Sequence, residues 1–367
     1  MQPFSIYFPQ FYPTPTNDHV WGKGFTDWVL LANSNLRIDD GDRRAPARGL
    51  YDGADPVIHH AQIAEMQAHG LGGIGLYHYW FHSHQELGAF EQTLLAGNDA
   101  TAMPWFLIWA TEGWTKRWIG DHTTIVGLDP DPDQTLVEAH CRHLARCFEN
   151  PAYFRWQGRP LFVWYNLAHF THPARLLDRY RAVLRNHGFD VAMANFVKNT
   201  SDIALCAHTD ASYVFEPRMF FNMGRSDRGT AARFVFDRAV SLLGADKANR
   251  LLVGTEKLTQ REGRLFRADA FLAYLASDAR AELLRGIARE VQEVISPGWD
   301  NAPRYDRRFT ALESLSGSQF GALVAAASAS GTLPPLINAW NEWTEKAAIE
   351  PCAYLGTRYL DALQHTR

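Results

Sequence analysis

Short apolar runs recur along the chain, and most of them are separated by stretches with the periodicity of amphipathic helices. Runs that are apolar almost throughout are typical of parallel strands, because such strands are buried on both faces. We therefore predict eight strands, at Pro3–Phe8, Gly72–Tyr77, Trp105–Trp109, Pro160–Tyr165, Val191–Phe196, Ala211–Glu216, Glu290–Ile295 and Pro335–Trp340.

Helices are predicted between several of these runs, among them about Pro56–His69, about Thr135–Glu149 and Ala174–Gly188. Strands that alternate with helices in this number predict an α/β fold, a (β/α)8 TIM-type barrel. The segment Arg225–Arg289 is long, helical by period and rich in Arg and Ala, and we predict a helical insertion there, between strands six and seven. An open doubly wound sheet is the alternative, although no GxGxxG motif follows the first strand.

The composition is that of a soluble globular protein, with 46% hydrophobic and 21% charged residues. The formal net charge of −4 argues against general binding to nucleic acid or to a membrane surface, because both require a basic surface. No apolar run approaches the ~20 residues that span a bilayer. The N-terminal residues have neither the basic region nor the apolar region of a signal peptide, so we expect a cytoplasmic location.

No linker, repeat or low-complexity segment divides the 367 residues, so we predict a single domain over 1–367, whether alone or as one domain of a longer protein. The four cysteines form no CxxC pair and are predicted to be free, buried thiols. The 15 histidines show no HExxH motif and no zinc-site spacing with cysteine, so we predict neither a catalytic metal nor a cofactor.

Aromatic residues make up 13% of the chain, including 12 tryptophans. Many of them stand among polar residues directly after predicted strands, as in PQFYP, HYWFH, ATEGWTKRW, EPRMFFN, SPGWDN and NEWTEKAAIEP. In a (β/α)8 barrel the loops after the strands form the active-site face. Aromatic rings among polar groups suit a cleft for a ligand with both apolar and hydroxylated faces.

The segment NAWNEWTEKAAIEP, residues 338–351, follows the last predicted strand and contains Glu342 and Glu345. In a helical turn this spacing places both carboxylates on one face. Repulsion and desolvation raise the pKa of one such group, while hydrogen bonds hold the other down. A proton donor beside a carboxylate is the pair that glycosidic chemistry requires. The alternative is a solvated acidic helix start, since acids favour the first turn.

Five motifs, WGKGFTDW, YHYWF, WATEGWTKRW, WDNAPR and NAWNEWTE…EP, resemble those of the WbsX-type glycosyltransferase family. That family is similar to glycoside hydrolase family 99, the endo-α-mannosidases and mannanases. The resemblance runs from Ile6 to about Tyr359, with the motifs in the same order. It implies a (β/α)8 barrel that acts on an oligosaccharide or polysaccharide.

The resemblance also implies a mechanism without an enzyme nucleophile. Glu342 would take the proton of the substrate 2-OH, which displaces the leaving group and forms a 1,2-anhydro sugar. Glu345 would protonate the leaving oxygen and then activate the incoming water or acceptor. This differs from the usual pair of retaining carboxylates, one of which attacks carbon. It suits a manno-configured sugar, whose 2-OH lies opposite an α leaving group.

The other candidate residues are substrate contacts in the loops after the predicted strands. They are Trp21, His78, Tyr79, Trp80, Glu112, Trp114, Trp118, Glu216, Asp300, Asn301, Arg304, Trp340, Asn341 and Trp343. In this interpretation tryptophans stack on pyranose rings and polar groups bind sugar hydroxyls. Lid packing is the alternative for Trp114 and Trp118. A structural role is the alternative for His78, and a buried ion pair for Arg304.

Two motifs depart from the family pattern. Lys346 replaces the glycine that usually follows the second glutamate, and a cation beside Glu345 favours its ionised form, which weakens it as an acid. In the third motif Thr111 and Gly113 replace two asparagines, so two amides are missing from the predicted sugar pocket. These departures predict a different sugar or an altered activity.

Three functions are open on the sequence. The first is a retaining glycosidase or transglycosylase that acts on a bacterial surface polysaccharide. The second is a nucleotide-sugar-dependent glycosyltransferase in O-antigen or capsule biosynthesis. No Gly-rich phosphate loop or DxD metal motif supports it, and the acidic loop Asp129–Asp133 is predicted to be structural. The third is a non-catalytic carbohydrate-binding barrel, against which the intact Glu342 and Glu345 argue.

Overall fold

The computed structural model describes residues 1–32, 44–82, 84–97, 102–115, 124–223, 263–287, 289–305 and 309–364. Its centre is a sheet of parallel strands that pair in chain order. They are β1 Phe4–Tyr7, β2 Gly73–Phe81, β3 Trp105–Trp109, β4 Arg159–Trp164, β5 Ala192–Val197, β6 Ala211–Phe215, β7 Glu290–Ile295 and β8 Leu336–Ile337. Short antiparallel strands at His84–Glu86 and Arg155–Trp156 extend this sheet.

The sheet closes into a barrel. Phe4 of β1 is paired with Leu336 of β8 on one side and with Gly73 of β2 on the other. A Cβ atom on Gly73 would clash with the Phe4 ring, so glycine is required where these two strands approach each other. The predicted (β/α)8 fold and the eight predicted strands are confirmed.

The barrel strands are buried on both faces, which explains their almost continuous apolar sequence. Every residue of β3 and of β5 is buried. Large rings such as those of Trp105, Trp164 and Tyr213 are almost completely buried and belong to the largest side chains of the core. The four cysteines are free, buried thiols.

Eleven α-helices lie in the described parts of the chain. They are α1 Pro15–Trp21, α2 Asp27–Ala32, α3 Pro56–Ala68, α4 Ala89–Ala96, α5 Gln134–Phe148, α6 Pro173–Asn186, α7 Arg218–Asn222, α8 Ala268–Leu275, α9 Asp278–Arg285, α10 Gly317–Ala329 and α11 Arg358–Gln364. The three predicted helices correspond to α3, α5 and α6. Asp133 caps α5 by accepting a hydrogen bond from the Leu136 amide, so the acidic loop before this helix is structural. None of the described helices is both long enough and apolar enough to cross a membrane.

The interval between β6 and β7 contains α7, a short strand at Arg264–Phe266, and helices α8 and α9. Residues 224–262 lie outside the described residues. The helical insertion predicted at 225–289 therefore stays a prediction for most of its length, while its described end contains two helices.

The loop after β8 is attached to the end of β1. The side-chain amide of Asn341 accepts a hydrogen bond from the Phe8 amide at 2.8 Å and donates one to the Phe8 carbonyl at 2.9 Å. The amide of Trp340 donates to the Ile6 carbonyl at 2.7 Å. These bonds fix the start of the segment that contains both candidate catalytic glutamates.

Candidate active site

A cavity of about 570 Å³ opens at the C-terminal ends of the barrel strands. Strand ends contribute Phe8, Tyr77, Tyr79, Tyr165, Phe215 and Asn338 to its lining. The loops add Trp21, Glu112, Trp114, Arg218, Trp299, Arg304, Glu342 and Glu345. Enzymes with this fold bind their substrates in the same place.

Glu342 and Glu345 face this cavity together. Trp343–Glu345 forms one 3₁₀ turn, and Glu342 directly precedes it. Residues three apart are eclipsed in such a turn, so both carboxylates lie on the same side, as their spacing predicted. They are 4% and 6% exposed, so their charges are largely removed from solvent.

Arg304 is the cation between these carboxylates. Its Nη1 donates to Glu345 Oε1 at 2.7 Å, and its Nη2 donates to Glu342 Oε1 at 3.2 Å. The same Nη2 donates to Asp27 Oδ2 at 2.7 Å. The guanidinium lies over the ring of Phe8, 5.2 Å from its centroid. One cation therefore serves three buried carboxylates, which cannot all ionise at low cost.

Thr344 connects two of these carboxylates. Its Oγ1 lies 2.7 Å from Glu342 Oε1 and 3.0 Å from Asp27 Oδ2. A hydroxyl has one proton, so it cannot donate to both. It donates to Glu342 Oε1 or to Asp27 Oδ2, and its bond to Glu342 lowers the pKa of Glu342. Support for a proton on Glu342 comes from burial and from the neighbouring carboxylates instead.

The electrostatics of the cavity agree with that proton. Burial, together with the charges of Glu345 and Asp27, raises the pKa of Glu342 to about 8, against the opposing effect of Arg304. At neutral pH the glutamate pair thus retains one proton. One carboxylic acid and one carboxylate side by side can donate and accept protons in the same reaction.

Aromatic side chains form the walls. The ring of Tyr79 meets that of Trp114 edge to face at 5.6 Å, and the rings of Trp21 and Phe25 are stacked at 5.4 Å. Burial, followed by the charge of Glu342, raises the pKa of Tyr79 well above its usual value, so its hydroxyl stays neutral. Apolar ring faces beside hydroxyl groups match the two kinds of surface on a pyranose.

The profile of the family described as Glycosyltransferase WbsX matches residues 3–363 of the chain. The chain belongs to this WbsX family. Two relatives in Xanthomonas campestris pv. campestris, strains B100 and ATCC 33913, are both described as "Uncharacterized protein WxcX". They are 29% and 30% identical to the chain over 98% of its length. The chain spans about half the length of these relatives, 48% in each case.

Solved structures with a similar fold are glycoside hydrolases. The GH99 endo-alpha-mannosidase from Bacteroides thetaiotaomicron, in complex with bis-tris-propane, has a TM-score of 0.57 and 15% identity over 99% of this chain and 96% of that chain. A glycoside hydrolase-like protein has a TM-score of 0.55 and 12% identity, covering 100% and 94% of the two chains. At this identity the likeness concerns the fold. The family description is that of a carbohydrate-active enzyme, and the resemblance seen in the motifs is confirmed.

The cavity of this WbsX-family barrel includes part of the predicted site. The predicted residues that line it are Trp21, Tyr79, Glu112, Trp114, Arg304, Glu342 and Glu345. Trp118 lies outside the described residues. The roles of these residues in binding and catalysis stay predictions, whereas their common location is a property of the fold.

His78 and Trp80 do not line the cavity, contrary to the predicted substrate contacts. Side chains alternate across a strand, and Tyr77 and Tyr79 of β2 face inwards. His78 and Trp80 therefore point out towards the helices. The Nε2 of His78 lies 3.1 Å from Nε2 of His140, whose ring stacks on Trp80 at 4.9 Å. His78 is a structural histidine, the alternative that the sequence had left open.

Trp340 and Asn341 are structural as well. Trp340 is fully buried in the barrel core, and Asn341 uses its side chain to bond the backbone of Phe8. Neither residue lines the cavity, and their contact with substrate stays a prediction that the structure does not support.

Trp343 serves the third acid of the segment, Glu350. The indole of Trp343 and the hydroxyl of Tyr51 donate to Glu350 Oε2 at 3.1 and 2.9 Å. Arg48 and Gln62 donate to Oε1 at 2.9 and 2.8 Å. Burial raises the pKa of Glu350 against these donors. Trp343 thus bonds Glu350 and does not line the cavity, so its contact with substrate stays a prediction that the structure does not support.

Three further predicted residues lie behind the cavity wall. Glu216 forms a buried ion pair with Arg280 at 3.2 Å. Asp300 and Asn301 each accept a backbone amide, at 2.9 and 2.7 Å, and so shape the loop that contains Arg304. None of the three lines the cavity, so their predicted contact with substrate is not supported.

Three of the lining residues that were not predicted as site residues are Tyr77, Tyr165 and Arg218, and Asp27 beside the cavity was quoted only within a motif. Tyr77 and Tyr165 end apolar runs, where a tyrosine is equally typical of the core. Arg218 stands within EPRMFFN, but no spacing rule marks it. Asp27 stands within WGKGFTDW, and it meets Arg304 only through the closed barrel. Residues that are far apart in the chain and meet only in the folded barrel leave no local pattern in the sequence.

One group outside the cavity has the composition of a metal site. His78, Glu91 and His143 place their ligand atoms within 4.8 Å of one another, in the described part of the chain. Glu91 accepts from His78 Nδ1 at 2.9 Å and from His143 Nε2 at 2.6 Å. Burial opposes ionisation of Glu91, but the two histidines lower its pKa to about 2. These hydrogen bonds satisfy the group, none of whose members lines the cavity.

Proposed function

We propose that this chain cleaves or transfers glycosyl units of a bacterial surface polysaccharide, with retention of configuration and with Glu342 and Glu345 as its acid–base pair. The observation that carries the proposal is the contact of Arg304 with both carboxylates, in a cavity walled by aromatic rings. It brings a proton donor, a proton acceptor and a permanent cation to the place where barrel enzymes bind substrate.

In the first step Glu342 accepts the proton of the sugar 2-OH, and O2 forms a bond to C1. The bond from C1 to the leaving oxygen breaks as Glu345 donates its proton to that oxygen. In the second step Glu345 takes a proton from water or an acceptor hydroxyl, whose oxygen bonds to C1 as the C1–O2 bond opens. Glu342 then returns its proton to O2. Two inversions at C1 retain the configuration, and a manno-configured sugar has the required 2-OH.

This mechanism starts with one proton on the glutamate pair. The raised pKa of Glu342, caused first by burial and then by Glu345 and Asp27, supports the presence of one proton on the pair at neutral pH. Because the raised pKa places this proton on Glu342, the mechanism requires that substrate binding transfers it to Glu345 before the first step. Arg304 contacts both carboxylates, so an ion pair is present in either state.

Turnover of α-manno- and α-rhamno-oligosaccharides by Glu→Gln variants tests the proposal. Glu342→Gln and Glu345→Gln should each lower turnover by about 10²–10⁴-fold with little change in glycan affinity, because an amide keeps the shape without the acid–base function. Glu138→Gln, on the exposed face of α5, is the matched control and should retain full activity. Full activity in Glu345→Gln would contradict the mechanism.

Nucleotide-sugar-dependent transfer is the second candidate, and the description of the family as a glycosyltransferase favours it. Thermal shift distinguishes the two, because a ligand stabilises by RT ln(1 + [L]/Kd) and weak binders become visible at high concentration. Stabilisation by nucleotide sugars would support transfer, whereas stabilisation by free oligosaccharides alone would support cleavage. Glycan binding without turnover under any condition would indicate a non-catalytic carbohydrate-binding barrel.

A further inference from the structure

Arg218 presents a second guanidinium to the cavity. It is the first residue of α7, directly after the loop that follows β6. Its Cζ lies 5.2 Å from the ring centroid of Trp299, 5.8 Å from that of Phe215 and 6.0 Å from that of Tyr165. All of these rings line the same cavity as Glu342. The cation is therefore held against aromatic faces and points into the space that substrate occupies.

Arg218 differs from Arg304 in having no carboxylate partner. Across the described ranges, no Asp or Glu lies within ion-pair distance of its guanidinium, and its buried Nε has no hydrogen-bond partner. Burial opposes its charge, but Tyr165, Glu345 and Glu112 raise the pKa of Arg218 above its usual range, so it stays charged. A partly buried cation without an ion-pair partner is costly, and a bound anion would satisfy it.

Lys198 adds a second positive charge on this side. It directly follows β5, and its Nζ lies 4.1 Å from the ring centroid of Tyr165, the ring that Arg218 also faces. Lys198 has a carboxylate partner, since Glu112 Oε1 lies 3.5 Å away. Asp202 also acts on Lys198, so Lys198 has two carboxylates near it. Glu345 acts on Arg218 only at longer range, because its ion pair is with Arg304.

We propose that Arg218 binds the carboxylate of an acidic sugar, so that the glycan processed at Glu342 and Glu345 contains a uronic acid. The inference rests on the proposed function, because it assumes that the ligand is a glycan. A guanidinium pairs with a planar carboxylate through two parallel hydrogen bonds. A single guanidinium matches a singly charged group, whereas a diphosphate carries more charge than one guanidinium neutralises. Phosphate is therefore an outcome of the test.

The test compares neutral α-manno-oligosaccharides with the same oligosaccharides after oxidation of C6 to a carboxylate. Affinities are measured by calorimetry in the Glu345→Gln background, and turnover of both glycans is measured separately in wild type. We expect the oxidised glycan to bind about 10- to 100-fold more tightly, the range of a charge-assisted pair. Arg218→Gln should abolish that preference without changing the affinity for the neutral glycan.

Two further variants keep the result interpretable. Arg218→Lys retains the charge without the planar fork and should keep part of the preference. Arg267→Gln, at a site 70% exposed and outside the cavity, should keep all of it. Thermal unfolding of each variant, compared with wild type, separates loss of binding from loss of folding.

Equal affinity for the two glycans, or a preference that survives Arg218→Gln, would overturn the inference about Arg218. The proposed function would still stand if turnover depended on Glu342 and Glu345. An Arg218-dependent preference without any turnover would support the inference and contradict the mechanism. Tighter binding of inorganic pyrophosphate or GDP than of the oxidised glycan, lost in Arg218→Gln, would overturn the assignment to a carboxylate. Absence of any glycan binding would overturn both proposals.

Discussion

The Nη1 of Arg304 lies 2.7 Å from Oε1 of Glu345, with the two side chains 9% and 8% exposed. This ion pair joins the loop after Trp299–Asp300 to the loop after β8, so it is both a structural tie and part of the candidate active site. Glu342 receives the longer contact, 3.2 Å, from the other nitrogen. The asymmetry distinguishes two carboxylates that are only three residues apart.

Replacing Arg304 by methionine should destabilise the fold. Asp27, Glu342 and Glu345 would lose their common cation, and breaking a buried pair by removing one partner typically costs about 3–5 kcal/mol. Urea unfolding at pH 7.5 measures the loss. Arg304→Lys keeps a charge without the fork and should lose less. An unchanged free energy of unfolding in Arg304→Met would mean that the carboxylates are not ionised around this cation.

The stability of the protein should depend on pH through Glu342. Burial and the neighbouring carboxylates raise its pKa from the ordinary 4.5 to about 8, so the folded chain holds its proton more tightly than the unfolded chain. This contribution is complete at low pH and is lost as the pH rises through about 8. Between pH 4.5 and about 8 we expect the free energy of unfolding to fall by on the order of 1 kcal/mol per pH unit.

Glu342→Gln should remove this component. The difference between wild type and variant, measured by urea unfolding from about pH 5 to about pH 9, isolates Glu342 from other titrating groups. Identical pH profiles for the two proteins would show that Glu342 titrates normally.

The leaving group should separate the roles of the two glutamates. A general acid matters little when the departing oxygen is a good leaving group, whereas the base that activates 2-OH is needed for every substrate. Glu345→Gln should therefore retain far more activity on an activated aryl glycoside than on an oligosaccharide. Glu342→Gln should lose both by a similar factor. The measurement is kcat/KM of each variant for the two types of substrate. The opposite pattern would mean that Glu342 is the general acid and Glu345 the base.

Lys346 occupies a left-handed backbone conformation, with φ of 55° and ψ of 27°. Glycine adopts this conformation without strain, so Lys346→Gly should keep the turn intact. If the Lys346 ammonium acts on Glu345, its removal should shift the pH optimum of turnover upwards. Lys346→Arg keeps the charge and should keep the optimum. If both variants share the wild-type profile, the ammonium does not act on Glu345.

The fold could be predicted from the sequence because its signals are local. Each barrel strand is a short run that is buried on both faces, and each predicted helix has its own apolar stripe. The pair Glu342 and Glu345 could be found for the same reason, since a spacing of three is local. Arg304 was predicted as a site residue from the motif WDNAPR, and a buried ion pair was one of the two roles predicted for it.

The rest of the site depends on directions that sequence does not give. His78 and Tyr79 are neighbours on β2, yet one faces the helices and the other the cavity. Trp343 lies between two candidate catalytic residues and still turns back to bond Glu350. Arg218 became visible only as a charge without a partner, which is a property of the assembled barrel.

Closure of the barrel has a consequence for biosynthesis. β8 is only Leu336–Ile337, it pairs with both β1 and β7, and Asn341 just beyond it bonds Phe8, 333 positions earlier. While the ribosome is still making the chain, β1 has β2 but lacks its other neighbour, and Glu342 and Glu345 do not yet exist beside Arg304. The candidate active site therefore forms only after β8 and the loop that follows it have emerged and closed the barrel.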